Sequence, residues 1–345
     1  MSMPSAMPGA LVGRGAAPAT RELTMAQAIR EALAEEMRRD PRVFIIGEDV
    51  AEAGTPFKVL SGLVDEFGRD RVIDTPISEA GFTGIGVGAA MTGMRPVVDI
   101  MFGDFIALVM DQVANQAAKV HYMSGGKLKV PMVVRTTMGA TRRSAAQHSQ
   151  SLHAWASHIP GLKVVLPSTP YDAKGLLKTA IRDDNPVVFF EDKLMYQLKG
   201  PVPEEEYTIP FGVADIKREG TDITIVATSS MVQVVLAAAD ALAGEGISVE
   251  VIDPRTTVPL DKETLIQSAR KTTRTIVVDE GYERYGVTAE IASVIAEGAF
   301  YDLEAPVKRM GAMDVPIPFS PVLEDLTVPT AESVAAMART LCGRG

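Results

Sequence analysis

From residue 43 onward, short apolar runs alternate with stretches of helical period, and this alternation restricts the fold more than any other feature of the chain. Strand-like runs fall at residues 43–46, 72–73, 97–101, 132–135, 163–166 and 187–190. A helix capped by Thr24 and Gln27 precedes them, with Ile29, Ala32, Leu33 and Met37 at helical spacing up to Pro41. A long helix is expected to place Ile106, Val109, Met110, Val113, Ala117 and Val120 on one face, and another spans 173–181. A second series has strands at 223–227, 247–252 and 275–278 and helices at 232–242, 261–270 and 287–296. Strands and helices in alternation with short joins predict an α/β chain of two doubly wound, mainly parallel-sheet domains. The stretch KGPVPEEEYTIP, residues 199–210, reads as a proline-rich, acidic connection. The expected division is a disordered leader over 1–22, a first domain over 23–199, a linker over 200–214 and a second domain over 215–345. Open parallel sheets bind ligands beyond the carboxyl ends of their strands. Glu48 and Asp49, just past the strand end at residue 46, read first as solvated turn residues, with a place lining such a crevice as the alternative.

Charge and cysteine content narrow the function. Asp plus Glu number 44 against 34 Lys plus Arg, a net charge of −10. That argues against nucleic acid or an anionic membrane as partner. The single cysteine, Cys342, allows no disulfide framework within the chain and suits a reducing compartment. No apolar run is long enough for a membrane span. The first 20 residues hold one arginine and no acid, and Pro4, Pro8 and Pro18 interrupt any signal-like apolar stretch. A cytoplasmic protein is expected, ahead of one targeted to an organelle.

The most unusual stretch is DTPISEAGFTGIGVGAAMTG, residues 74–93. It sets one carboxylate, Glu79, among glycines and alanines, where another backbone or a flat ligand can come close. A poorly hydrated carboxylate has a tunable protonation state. The alternative is a helix start with Ser78 as cap and Glu79 favourable to the dipole. A second concentration of polar groups is TTMGATRRSAAQHSQSLHAW, residues 136–155, which has little periodicity. His148, His153 and His158 fall within eleven positions, but without the spacing of a metal site. Long ordered polar loops are where catalysis concentrates, although a surface loop with satisfied histidines fits the same residues. GIGVGA, residues 84–89, satisfies a relaxed dinucleotide fingerprint but has no strand directly before it. A phosphate-loop motif is missing, as is a GDG with downstream asparagines for a metal–diphosphate clamp.

Eight motifs in one order then carry a resemblance: GEDV (47–50), DTPISEAGFTGIGVGAAMTGMRPV (74–97), MFGDF (101–105), DQVANQAAK (111–119), AAQHSQ (145–150), HIPGLKVV (158–165), AIRDDNPV (180–187) and VPIPFSPVLEDLTVP (315–329). In these the chain resembles, from about Leu23 onward, the beta subunit of the thiamine-diphosphate-dependent first component of 2-oxoacid dehydrogenase complexes, of the pyruvate and acetoin type. The resemblance implies a pyrimidine-binding domain followed by a transketolase-like C-terminal domain, with thiamine diphosphate between subunits. Its Mg2+ and diphosphate would be held by an alpha subunit in an alpha-two beta-two assembly. Glu79 matches the glutamate that hydrogen-bonds N1′ of the aminopyrimidine and favours the imino tautomer. Ile77 matches a backbone contact, Met101 and Phe105 match residues packing on the pyrimidine, and Glu48 matches an acid near the same ring. His148 matches the beta-subunit active-site histidine, which handles a proton during transfer to the lipoyl group. Met132, Ala180, Ile181, Asp183 and Asn185 match a potassium site built largely from carbonyls. Arg142 and Arg143 are expected to attract a substrate carboxylate. The implied reaction is decarboxylation of a pyruvate-type 2-oxoacid, or turnover of acetoin, with acylation of a lipoyl group on the acyltransferase core. The readings from other classes are a nucleotide binder using GIGVGA and a noncatalytic scaffold.

Overall fold

Strand β1 (Thr20–Thr24) opens the computed structural model, which describes residues 20–343; residues 1–19 of the expected leader lie outside the described residues. Helix α1 (Met25–Arg39) starts at the expected capping box of Thr24 and Gln27 and buries Ile29, Ala32, Leu33 and Met37. Then follow β2 (Val43–Gly47), α2 (Leu63–Phe67), β3 (Val72–Asp74), α3 (Glu79–Met91) and β4 (Arg95–Ile100). Where one long helix was expected, the chain makes a 3-10 turn over Gly103–Val109, a π-helical turn over Asp111–Ala117 and α4 (Ala118–Met123). Ile106, Val109, Val113 and Ala117 are still buried together, so the apolar pattern held while the winding changed. Tertiary packing decides that winding, and π-turns concentrate at functional sites.

The first domain continues with β5 (Val133–Met138), α5 (His153–Ser157), β6 (Lys163–Val165), α6 (Pro170–Arg182), β7 (Val187–Asp192) and β8 (Lys199–Pro203). The second contains β9 (Asp215–Arg218), β10 (Ile223–Ala227), α7 (Met231–Ala243), β11 (Val249–Asp253), β12 (Thr256–Val258), α8 (Lys262–Thr272), β13 (Thr275–Tyr282), α9 (Val287–Gly298), β14 (Lys308–Ala312), α10 (Pro321–Glu324) and α11 (Ala331–Leu341).

The expected architecture is present, two mainly parallel sheets. The first has seven strands in the order β12-β6-β7-β5-β4-β2-β3, and the second five in the order β14-β13-β10-β11-β9. Among the described residues only β12 runs antiparallel in the first sheet and only β9 in the second. On one face of the first sheet α1 and α6 cover a core that includes Leu33, Ile45 and Leu177. On the other, α3 and the 103–123 segment cover Ile100, Val113 and Phe190. Helix α3 lies so close to the sheet that a Cβ on Gly86 would stand 2.5 Å from Val98 Cγ2. A glycine there is a packing requirement.

Two features depart from the expected linker. Strand β8 pairs with β1, so residues 20–22 and 200–203 are sheet rather than leader and linker. Beyond it, the ring of Tyr207 stacks on Tyr171 at 4.6 Å and Ile209 is buried, its amide donating to the Gly175 carbonyl. Apolar side chains between the prolines anchor this connection to α6. Strand β12, although it follows the linker, joins the first sheet beside β6. The two domains therefore share a sheet edge.

Candidate active site

Leaving β2, the chain places β3 at one side and β4 at the other. Between β2 and β4 the direction of strand succession thus reverses, the point where open α/β sheets leave a crevice. The expected residues gather at this edge. Glu48 follows β2, Glu79 begins α3 after β3, and Met101, Phe102 and Phe105 follow β4. The loop bearing His148 follows β5, and Lys193 follows β7.

The carboxylates behave as a pair. Glu48 is half-buried, and its Oε1 is a buried acceptor with no hydrogen-bond partner among the described residues. Burial, then the charge of Glu79, then that of Asp49 push the Glu48 carboxyl above its ordinary value, while the Ser78 backbone N–H pulls part of the way back. Glu79 is half-buried and accepts no hydrogen bond from any described residue. The expected helix start is present, with Ser78 at the N-cap of α3 and Glu79 in its first turn, but the Ser78 side chain makes no capping bond. Ile77 beside it is 84 % exposed, which is unusual for an isoleucine and fits a surface that a second molecule covers.

Aromatic rings form a wall around His148. Phe102 stands edge-on to the His148 imidazole at 4.6 Å and Phe105 at 5.5 Å. Phe57 packs on Phe102 at 5.7 Å, and the Arg142 guanidinium lies over Phe57 at 5.7 Å. Met101, Phe105 and His148 are each half-buried. Arg143 points elsewhere, because Glu324 and Asp325 hold its guanidinium. Of the expected carboxylate-attracting pair, only Arg142 reaches this wall.

Lys193 was not singled out from the sequence. It is buried, its ammonium donates to the His148 carbonyl, and it lies 5.7 Å from the Phe102 ring centre. Burial lowers its pKa, opposed by Asp104, Asp192 and Glu280. Its only sequence signal was a lysine directly after a strand.

The other histidines do not join the site. His153 is fully buried, with Nε2 3.1 Å from Asp279 Oδ2 across the domain boundary. His158 is exposed. A cleft of about 520 Å³ between the domains is lined by Trp155, His158 and Tyr282. It contains none of Glu48, Glu79 or His148. GIGVGA lies inside α3, not at a strand-to-helix turn, which removes the dinucleotide motif.

The expected potassium residues do come together. Met132 enters β5, Ala180 and Ile181 end α6, and Asp183 and Asn185 form the turn into β7. Arg95 Nη1 donates to the Ile181 and Asp183 carbonyls at 2.9 Å each. The Asp183 carboxylate accepts from Asn185 and from Lys163.

Two neighbouring acids at a switch point, with His148 and aromatic rings on loops at the same sheet edge, offer a half-site for a flat heteroaromatic ligand. Residues 21–199 match the transketolase pyrimidine binding domain and residues 212–334 the transketolase C-terminal domain. The chain is 51% identical over 335 residues to the acetoin:2,6-dichlorophenolindophenol oxidoreductase subunit beta of Bacillus subtilis (strain 168), covering 94% of this chain and 98% of that one. It is 48% identical over 321 residues to the pyruvate dehydrogenase E1 component subunit beta of Rickettsia felis, covering 93% and 98%. A solved split-gene transketolase, an inactive beta4 tetramer, shares the fold with a TM-score of 0.76 at 23% identity, covering 93% and 98% of the two chains. The chain belongs to the transketolase-like family of dehydrogenase beta subunits, of the pyruvate and acetoin type. The family implies thiamine diphosphate as cofactor.

Proposed function

We propose that the chain is the beta subunit of a thiamine-diphosphate-dependent, pyruvate-type 2-oxoacid dehydrogenase, working with an alpha subunit in an alpha-two beta-two assembly. The observation that carries this is the unpartnered Glu79 beside the raised-pKa Glu48. Such a pair suits a protonatable ring nitrogen: a Glu79 carboxylate oxygen would hydrogen-bond it, with the Glu48 carboxyl, held above its ordinary value, alongside. The residues present fit the aminopyrimidine end of the cofactor. Mg2+ and the diphosphate are assigned to the alpha subunit, the partner that the relatives' beta-subunit names imply.

When bound, the cofactor supplies a thiazolium carbon that adds to a carbonyl and accommodates the electron pair left by decarboxylation. This chain's residues do the rest of the work. Glu79 holds a proton shared with the ring nitrogen at its carboxylate oxygen, and Phe102 and Phe105 exclude water around it. The His148 imidazole gives or takes a proton at the substrate-derived oxygen during transfer to a lipoyl sulfur. Ile77 and Met101 complete the bed of the ring. A potassium ion on the carbonyls near Asp183 would bind alongside Arg95, using their second lone pairs.

The lipoyl acceptor is carried by the acyltransferase core of the complex. The reading places this work in the cytoplasm; no helix among the described residues is long and apolar enough to cross a membrane. Acetoin is the second substrate reading, favoured by the 51% identity to the acetoin enzyme's subunit. Co-expression with an alpha subunit and a screen of pyruvate, acetoin and branched-chain oxoacids tests the proposal. Turnover of pyruvate is expected. No turnover of any of them by the assembled, cofactor-loaded complex would contradict it.

A further inference from the structure

The motif VPIPFSPVLEDLTVP, residues 315–329, lies in the second domain and far along the chain from every residue in the site. Its glutamate nevertheless reaches the loop that carries His148. Glu324, at the end of α10, is completely buried. Its Oε1 accepts from the Thr141 amide at 2.7 Å. Its Oε2 accepts from the Arg143 amide at 3.2 Å and from Arg143 Nη1 at 2.7 Å. One residue before this, the Ala140 amide donates to Glu280, another carboxyl of the second domain. Three amides of the four residues 140–143 therefore end on carboxyl groups of a different domain.

The backbone explains why such a hold is needed. Gly139, Thr141, Arg143 and Ala145 have φ of 106°, 66°, 59° and 61°. Left-handed residues in alternation turn successive amides to one side and form a concave anion site. Three of these four carry a Cβ and would leave this conformation without compensation. Glu324 occupies the concave side. From Ala145 the chain runs directly to His148, whose amide donates to the Ala145 carbonyl at 3.4 Å and whose own carbonyl is held by Lys193. Asp104 then accepts from the Gln150 amide at 3.2 Å. Acidic groups from outside thus pin both ends of the loop, Glu280 and Glu324 upstream and Asp104 downstream.

We propose that Glu324 is a positioning residue for His148: its carboxylate templates the left-handed 139–145 segment and so sets where the imidazole stands beside Phe102 and Phe105. The proposal deepens the functional reading above and rests on it for its kinetic consequence. Because His148 is assigned to acyl transfer, loss of the clamp should separate two activities of the same holoenzyme. Reduction of 2,6-dichlorophenolindophenol with a 2-oxoacid needs the cofactor and decarboxylation only. Acylation of a lipoyl domain needs His148 in place as well.

The experiment compares Glu324→Gln with wild type in the assembled, cofactor-loaded complex. The glutamine keeps the volume but loses the charge and one acceptor. Lipoyl acylation is expected to fall about tenfold in kcat, the weight of one charge-assisted contact. Dye reduction and the KM for the oxoacid should stay within about twofold, a difference too small to count as a lost contact. Amide exchange at residues 140–143 should rise, and Asp325→Asn, which touches only the Arg143 guanidinium, should change neither activity. Equal loss of both activities, or faster exchange with acylation unchanged, would overturn the positioning role. If Glu324→Gln does not assemble, Glu324→Asp makes the same comparison with the carboxylate drawn back by one methylene. Wild type that reduces neither acceptor would sink the functional reading alone; the exchange measurement would still decide whether Glu324 holds the loop.

Discussion

Lys193 donates its ammonium to the backbone carbonyl of His148, so a buried cation fixes the residue assigned to proton handling. Lys193→Met keeps the stem and removes the donor, leaving that carbonyl without its partner. A loss of about 1–3 kcal/mol in urea unfolding is expected, the usual penalty for a buried unsatisfied acceptor. Lipoyl acylation should fall more than dye reduction. An unchanged midpoint with unchanged acylation would show that the contact is incidental.

The Glu280 and Asp192 carboxyls meet across the domain boundary, with Gly139 wedged beside them. A Cβ on Gly139 would stand 2.8 Å from Glu280 Oε1 and 2.9 Å from Asp192 Oδ2. Asp192 Oδ2 is a buried acceptor with no partner, which a proton on Glu280 satisfies. Burial first, then Asp192, raise the Glu280 pKa well above the carboxylate range. The folded state therefore holds a proton that the unfolded chain releases near pH 4.5. The stability this gives is complete below that value and is lost as pH rises through the folded pKa. Glu280→Gln, which mimics the protonated acid, should flatten the decline. Thermal melts between pH 5 and 9 check this, and parallel curves for the two proteins would refute it.

Arg135 sits buried between Asp99 and Glu191 in neighbouring strands, with two bonds to Glu191 at 2.6 and 2.7 Å; Tyr196 donates to Glu191 at 2.7 Å. Arg135→Met strands two carboxyls in the core, and a destabilisation of about 3–5 kcal/mol is expected in denaturant titration. Replacing Asp99, Arg135 and Glu191 together by apolar residues should restore most of it. If the triple variant is no more stable than the single one, the ionic cluster is not the cause.

The strands and helices of both sheets were legible because apolar runs and helical periods follow local chemistry: the Thr24–Gln27 box and the face through Leu33 and Met37 appear as read. The α-to-π change at Asp111–Ala117 was not, since the same apolar spacing serves either winding and the sheet beneath selects one. Glu79, Glu48 and His148 were reached through motifs at strand ends. Lys193 and Glu324 were not, because a lysine after a strand and a glutamate in a late loop look like surface residues until the fold buries them. Arg143 was misread for the opposite reason, its partners Glu324 and Asp325 lying 181 and 182 residues away.

The most direct measurement is hydrogen–deuterium exchange at C2 of thiamine diphosphate bound to the complex, wild type against Glu79→Gln, with assembly checked by mass. Exchange slowed by about a hundredfold or more, in a complex of unchanged composition, is expected of a carboxylate that activates the ring. Exchange at the wild-type rate would contradict it, and with it the role assigned to Glu79.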